Sequence, residues 1–237
     1  MTKLQNMNET LETKFTCDFC KREFLRETTI AKHVCESKRR WMDKDKQGNR
    51  IGFQSWLQFY AKNTTSSKKN KTFEEFVKSA YYIAFIKFGN YCAEVNAINV
   101  SRYVDWLLKN QIKIDNWNSD TTYTKYLIEY LRHENHADAI HRSMQTCEAL
   151  AEEAGIQPHD ILRYGNVNRI CYAITLGKIS PWMLFQSDSG VTFLDNLGPD
   201  HVKLIIDYIN PEQWALKFKR EPENATDIKD LLKSSGY

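Results

Sequence analysis

Apolar residues along most of this chain recur at helical intervals. In the run IGFQSWLQFYAKN, Phe53, Trp56, Leu57 and Tyr60 follow an i, i+3, i+4, i+7 spacing, which predicts a short amphipathic helix over 51–63. Thr72 and Glu75 form the T-x-x-E pattern of a capping box and open the next helix. The following run, FEEFVKSAYYIAFIKF, is apolar on more than one face, so this helix is expected to lie centrally, with Gly89 weakening or ending it. Further helices are predicted over 100–110, 119–133 and 136–154, the last stopped by Gly155. Ser180-Pro181, Gly198-Pro199 and Asn210-Pro211 each read as a cap followed by proline in the first helical turn. Asp188-Ser189-Gly190 reads as a turn, and 225–234 as a terminal helix. Alternating strand patterns are scarce after residue 35. The expected fold class is therefore mainly α.

The first third differs in chemistry. Residues 1–13 are polar, 36–50 form a charged helical extension or tether, and 62–71 (KNTTSSKKNK) read as an exposed basic loop. Between them stands Phe15-Thr16-Cys17-Asp18-Phe19-Cys20, followed by Phe24, Ile30 and His33. Two cysteines separated by two residues present their sulfurs from one tight knuckle, and twelve further residues allow a strand and a helix to bring His33 opposite. So short a segment buries little apolar surface, and a bound metal would supply much of its folding free energy. Phe24 and Ile30 would fill the space between hairpin and helix.

This segment resembles the ββα zinc finger of the two-cysteine, two-histidine type over about 25 residues, a similarity that implies a zinc cofactor. The departure is at the fourth ligand. His33-Val34-Cys35 leaves a single residue between donors, and on a continuous helix positions two apart point about 200° away from each other. Either the helix unwinds after His33 so that Cys35 swings in, or Cys35 is not a ligand. Glu36 has better helical spacing but is a harder donor than structural zinc sites use. The ligand set assigned is Cys17, Cys20, His33 and Cys35. The run through Lys38, Arg39 and Arg40 also looks like the front of uncharacterised finger proteins of large tailed phages. In DNA-reading fingers, base contacts come from positions that match Arg26, Thr29 and Lys32 here, with Thr28 accessory. Lys38, Arg39 and Arg40 would then neutralise phosphates.

Charge bears on the partner. The net charge of +3 conceals +8 over residues 1–71 and −5 over 72–237, so a polyanion would meet the first third. DNA is favoured over RNA, and a protein complex docked by the finger is the alternative. No apolar run approaches a membrane span and the start lacks a secretory pattern, so a cytoplasmic location is expected (host cytoplasm for a viral protein). Cys92, Cys147 and Cys171 sit among apolar neighbours and read as buried thiols. The cluster His133, Glu134, His136, Asp138 and His141 matches no catalytic pattern and reads as exposed polar residues at a helix junction. Tyr81, Tyr82, Phe85 and Phe88, and Trp182, Phe185 and Phe193, read as core. Phosphate loops, nucleophile elbows and dinucleotide fingerprints are missing from the sequence, and a non-enzymatic protein is expected. The expected organisation is a finger over 14–41, a basic tether over 42–71 and a helical domain over 72–237.

Overall fold

The computed structural model describes residues 14–63 and 71–237, so the polar start and most of the basic segment 62–71 lie outside the described residues. The described residues are 73% helical, with one small antiparallel sheet near the N-terminal end. The chain divides into two compact units, Met1–Ala93 and Glu94–Tyr237.

In the first unit, β1 (Phe15–Thr16) pairs with β2 (Glu23–Phe24), Phe15 opposite Phe24. Then come α1 (Glu27–Lys32), α2 (Glu36–Met42), α3 (Gln47–Asn63), α4 (Phe73–Lys78) and α5 (Tyr82–Glu94). The helix expected over 51–63 begins at Gln47 and is 17 residues long. The capping box at Thr72 is present in full, Thr72 Oγ1 accepting from the Glu75 amide while Glu75 accepts from the Thr72 amide. The helix it opens is shorter than expected. It stops at Ser79, whose backbone turns to an extended conformation, and Tyr81 at the break is 42% exposed rather than core. The Ser79 hydroxyl accepts from the Trp56 indole N–H and the Tyr81 amide, which ties the break to α3. Phe76 is fully buried, within 5.7 Å of the rings of Phe53, Trp56, Phe73 and Tyr82.

Gly89 does not end its helix. It lies inside α5, where α3 crosses so closely that a Cβ on it would stand 2.0 Å from Gly48 O and 2.6 Å from Gly52 N. Gly48 and Gly52, one helical turn apart, give α3 the matching flat face.

The second unit contains α6 (Val100–Lys109), α7 (Asp120–His133), α8 (His136–Ala154), a 3-10 turn at Pro158–Asp160, α9 (Ile161–Tyr164), α10 (Val167–Thr175), α11 (Pro181–Gln186), α12 (Asp188–Asp195), α13 (Pro199–Ile209), α14 (Pro211–Arg220) and α15 (Pro222–Ser234). Gly155 ends α8 in the left-handed conformation, as the sequence predicts. Ser180 and Asn210 cap α11 and α14 through their side chains. Asp188-Ser189-Gly190 is not a turn but the first turn of α12, capped by Ser187. Gly190 is required because a Cβ there would meet Leu184 O at 2.5 Å across the α11/α12 corner. Trp182, Trp214 and Phe218 pack ring against ring, with Trp182 and Trp214 essentially inaccessible. Cys92, Cys147 and Cys171 are buried as expected, and burial pushes the thiols of Cys92 and Cys147 up to about 12, which keeps them inert.

Candidate metal centre

The knuckle between β1 and β2 is closed by two backbone bonds. Cys17 N–H donates to Arg22 O at 2.9 Å, and Lys21 N–H donates to Cys17 O at 2.8 Å. Lys21 adopts a left-handed backbone (φ 59°) to make the turn. The tight loop leaves the sulfurs of Cys17 and Cys20 on the same side. β2 then leads into α1, and Phe24 lies 4.7 Å from the His33 ring, centroid to centroid, fixing that imidazole in place.

The helix then breaks where the ligand spacing requires it. α1 ends at Lys32, and His33 is its C-cap with an extended backbone (ψ 121°). Cys35 is the extended N-cap of α2, its sulfur accepting from Lys38 N at 3.4 Å. Three non-helical residues in succession, His33 to Cys35, turn donors that would diverge on one helix toward a common point. Cys17 Sγ and Cys35 Sγ stand 4.0 Å apart, and Cys20 Sγ and His33 Nε2 3.3 Å apart. All four donor atoms lie within 4.8 Å of one another, the only such group of three or more among the described residues. This donor set can hold a metal ion. The Cys20 amide, followed by other groups of the knuckle, holds the Cys17 thiol below its ordinary pKa. The Arg22 amide pulls Cys20 the same way, but burial and the adjacent sulfurs outweigh it and raise that thiol. A cation would relieve this mutual repulsion.

The residues matched to base-reading positions fall on and beside α1. Arg26, Thr28, Thr29 and Lys32 are all exposed. The cluster Lys38, Arg39 and Arg40 is less uniform. Lys38 Nζ donates to His33 O at 3.3 Å, and Arg39 is paired with Glu36. Arg40 belongs to the fold: it bonds Glu36 and Val77 O (2.8 Å) and stacks 4.3 Å above the Tyr82 ring. Its neighbour Trp41 packs on Phe73 and faces Phe19 of the knuckle. The helix capped by a sulfur donor therefore carries an anchor into α4 and α5. From sequence alone, nothing about Arg40 distinguishes it from the two cations before it.

In the second unit, the histidine-rich cluster is only partly as expected. His133, Asp138 and His141 are exposed. Glu134 is buried, its carboxylate accepting from Arg142 at 2.7 Å and from Ser180 Oγ at 2.8 Å. Burial raises its pKa and the Arg142 guanidinium opposes the rise. Arg142 also donates to Gly177 O, and Ser180 N to Ser143 Oγ, so the cluster is a buried strut joining α7, α8 and the start of α11. Glu134 and Arg142 are eight residues apart, and no short-range pattern announces the pairing.

No helix among the described residues is long and apolar enough to cross a membrane. Comparison with known proteins matched no family model, no curated protein and no solved structure.

Proposed function

We propose that this protein is a non-enzymatic zinc-finger protein that associates with nucleic acid, DNA before RNA, through its basic N-terminal third. The observation that carries the reading is the convergence of three sulfurs and one imidazole nitrogen beside an exposed helix bearing Arg26, Thr28, Thr29 and Lys32.

The donor set selects the ion. Three thiolates and an imidazole suit a borderline metal such as zinc and are poor ligands for magnesium or calcium. Zinc–sulfur bonds of about 2.3 Å at tetrahedral angles require sulfurs about 3.8 Å apart, close to the 4.0 Å between Cys17 and Cys35. Cys17, Cys20, His33 and Cys35 would hold the ion. Four protein ligands leave no position for a reacting water, so its contribution would be to folding.

A single finger reads about three base pairs, so useful affinity needs the remaining positive charge of residues 1–71. Because Arg40 serves the fold, the phosphate-facing charge is expected from Arg26, Lys32, Lys38 and Arg39. The test is salt-titrated binding of the full chain to duplex DNA, single-stranded DNA and RNA. Binding should weaken steeply with salt, and R26A/K32A/R39A should lower affinity at least tenfold with a shallower salt slope. Affinity unchanged in that triple variant would overturn the nucleic-acid reading.

A second reading, a structural or assembly protein (of a phage, for example) whose finger docks onto a protein partner, is favoured by one observation. Leu25, Val34 and Met42, in or next to the finger, are 65%, 60% and 66% exposed. Retained function of the triple variant combined with its loss in V34D/M42D would select this reading.

A further inference from the structure

The second unit contains a cleft of about 780 Å3 between α8 and α10, within the size range of about 300–1,000 Å3 typical of small-ligand sites. It exists because these two helices find their partners elsewhere. α8 packs on α9, α11, α15 and the 3-10 turn, whereas α10 packs on α13. Each presents one stripe to the gap, and the lining residues Ala149 on α8 and Ala173 on α10 are small where larger side chains would fill it. Leu150 and Leu176 complete an apolar lining.

Both ends are tied. At one, Arg142 Nε donates to Gly177 O at 2.8 Å and Thr146 Oγ1 to Lys178 O at 3.2 Å, joining α8 to the segment after α10. At the other, Glu153 and Arg169 form an exposed ion pair between the helices. The cleft is thus held open by the native fold.

Its charge is unbalanced in one place. Of the three cations lining it, Arg142 is matched by Glu134 and Arg169 by Glu153, whereas Lys178 takes part in no ion pair among the described residues. Asn96, Gln145 and Asn168 add only neutral polar groups.

We propose that this cleft binds a small amphipathic monoanion, an apolar carboxylate with its body along Ala149, Leu150, Ala173 and Leu176 and its carboxylate on the Lys178 ammonium. A monoanion satisfies the single unmatched cation, and an apolar body replaces water that this lining binds poorly. The proposal rests on the second unit alone and stands apart from the finger.

Isothermal titration of the full chain with decanoate, below its micelle concentration, tests it against decanol and decyltrimethylammonium. Decanoate should bind once per chain and at least tenfold more tightly than either control. K178M should weaken decanoate about tenfold and leave decanol unchanged. A149W should abolish binding by filling the gap, with L176N as a second block should A149W fail to fold. Absence of saturable decanoate binding, equal binding of decanol, or unaltered decanoate affinity in K178M or in the folded blocking variants would overturn the proposal.

Discussion

Replacing Gly89 by alanine puts the α3/α5 crossing to a test in which even the sign is informative. Were Gly89 merely a weak helix residue, alanine would stabilise α5 by about 1 kcal/mol. The structure sets a larger opposing effect. The new methyl would stand 2.0 Å from Gly48 O and 2.6 Å from Gly52 N, where ordinary contact begins near 3.4 Å. Both obstacles are backbone, so no rotamer change relieves them, and the helices must separate by more than about 1 Å. Overpacking of this kind costs about 1–3 kcal/mol and sometimes more, and an immovable backbone places it at the upper end. The net expectation is destabilisation by about 2 kcal/mol. For a unit of this size that lowers the melting temperature by roughly 10 °C. The assay is thermal unfolding of the full chain with hydrogen exchange at the amides of α3 and α5, which separates the first unit from the second. Unchanged or slower exchange in α3 and α5, or a higher melting temperature, would refute the close crossing.

Removal of metal by a chelator, or C17S, should abolish stoichiometric zinc and unfold residues 14–35 while the second unit still melts cooperatively; unchanged zinc content in C17S would sink the ligand assignment. Because Arg40 joins α2 to Val77 O and Tyr82, metal loss should also speed exchange in α4 and the start of α5, and R40M should confine the effect to the finger. R142M should leave the buried Glu134 carboxylate without its cation and destabilise the second unit by about 3–5 kcal/mol at neutral pH. Burial already holds the folded pKa of Glu134 above its unfolded value, so the native state takes up the proton more readily, and stability falls as pH rises through that interval. In R142M the interval widens, so calorimetry should show the lost stability partly recovered on going from pH 7.5 to pH 5; a pH-independent deficit would argue against an uncompensated carboxylate.

Local chemistry was legible in the sequence. Thr72-x-x-Glu75, Gly155, Ser180-Pro181 and Asn210-Pro211 mark helix ends because capping involves groups within a few residues. The donor set was legible for a related reason: a knuckle fixes Cys17 and Cys20, and the misfit of His33 and Cys35 on one helix predicts the break that is observed. Helices α9 and α10 were missed: Ile161–Tyr164 is a single turn, and Val167–Thr175 is only nine residues, although Asn166 caps its start and the left-handed Gly177 follows its end. The cleft that α10 lines was missed with it.

What the chain by itself determined was the helical class, most cap positions and the four side chains of the candidate metal centre, all consequences of spacing along a local backbone. Tertiary structure alone decided that Gly89 and Gly190 serve close approaches, that Ser79 interrupts an apolar run, that Glu134 is buried with Arg142, and that Arg40 anchors a helix. Each of those depends on which distant group lies opposite. Backbone proximity and desolvation are properties of the assembled fold, and the same residue type reads as turn, surface or core until its neighbour across the gap is known.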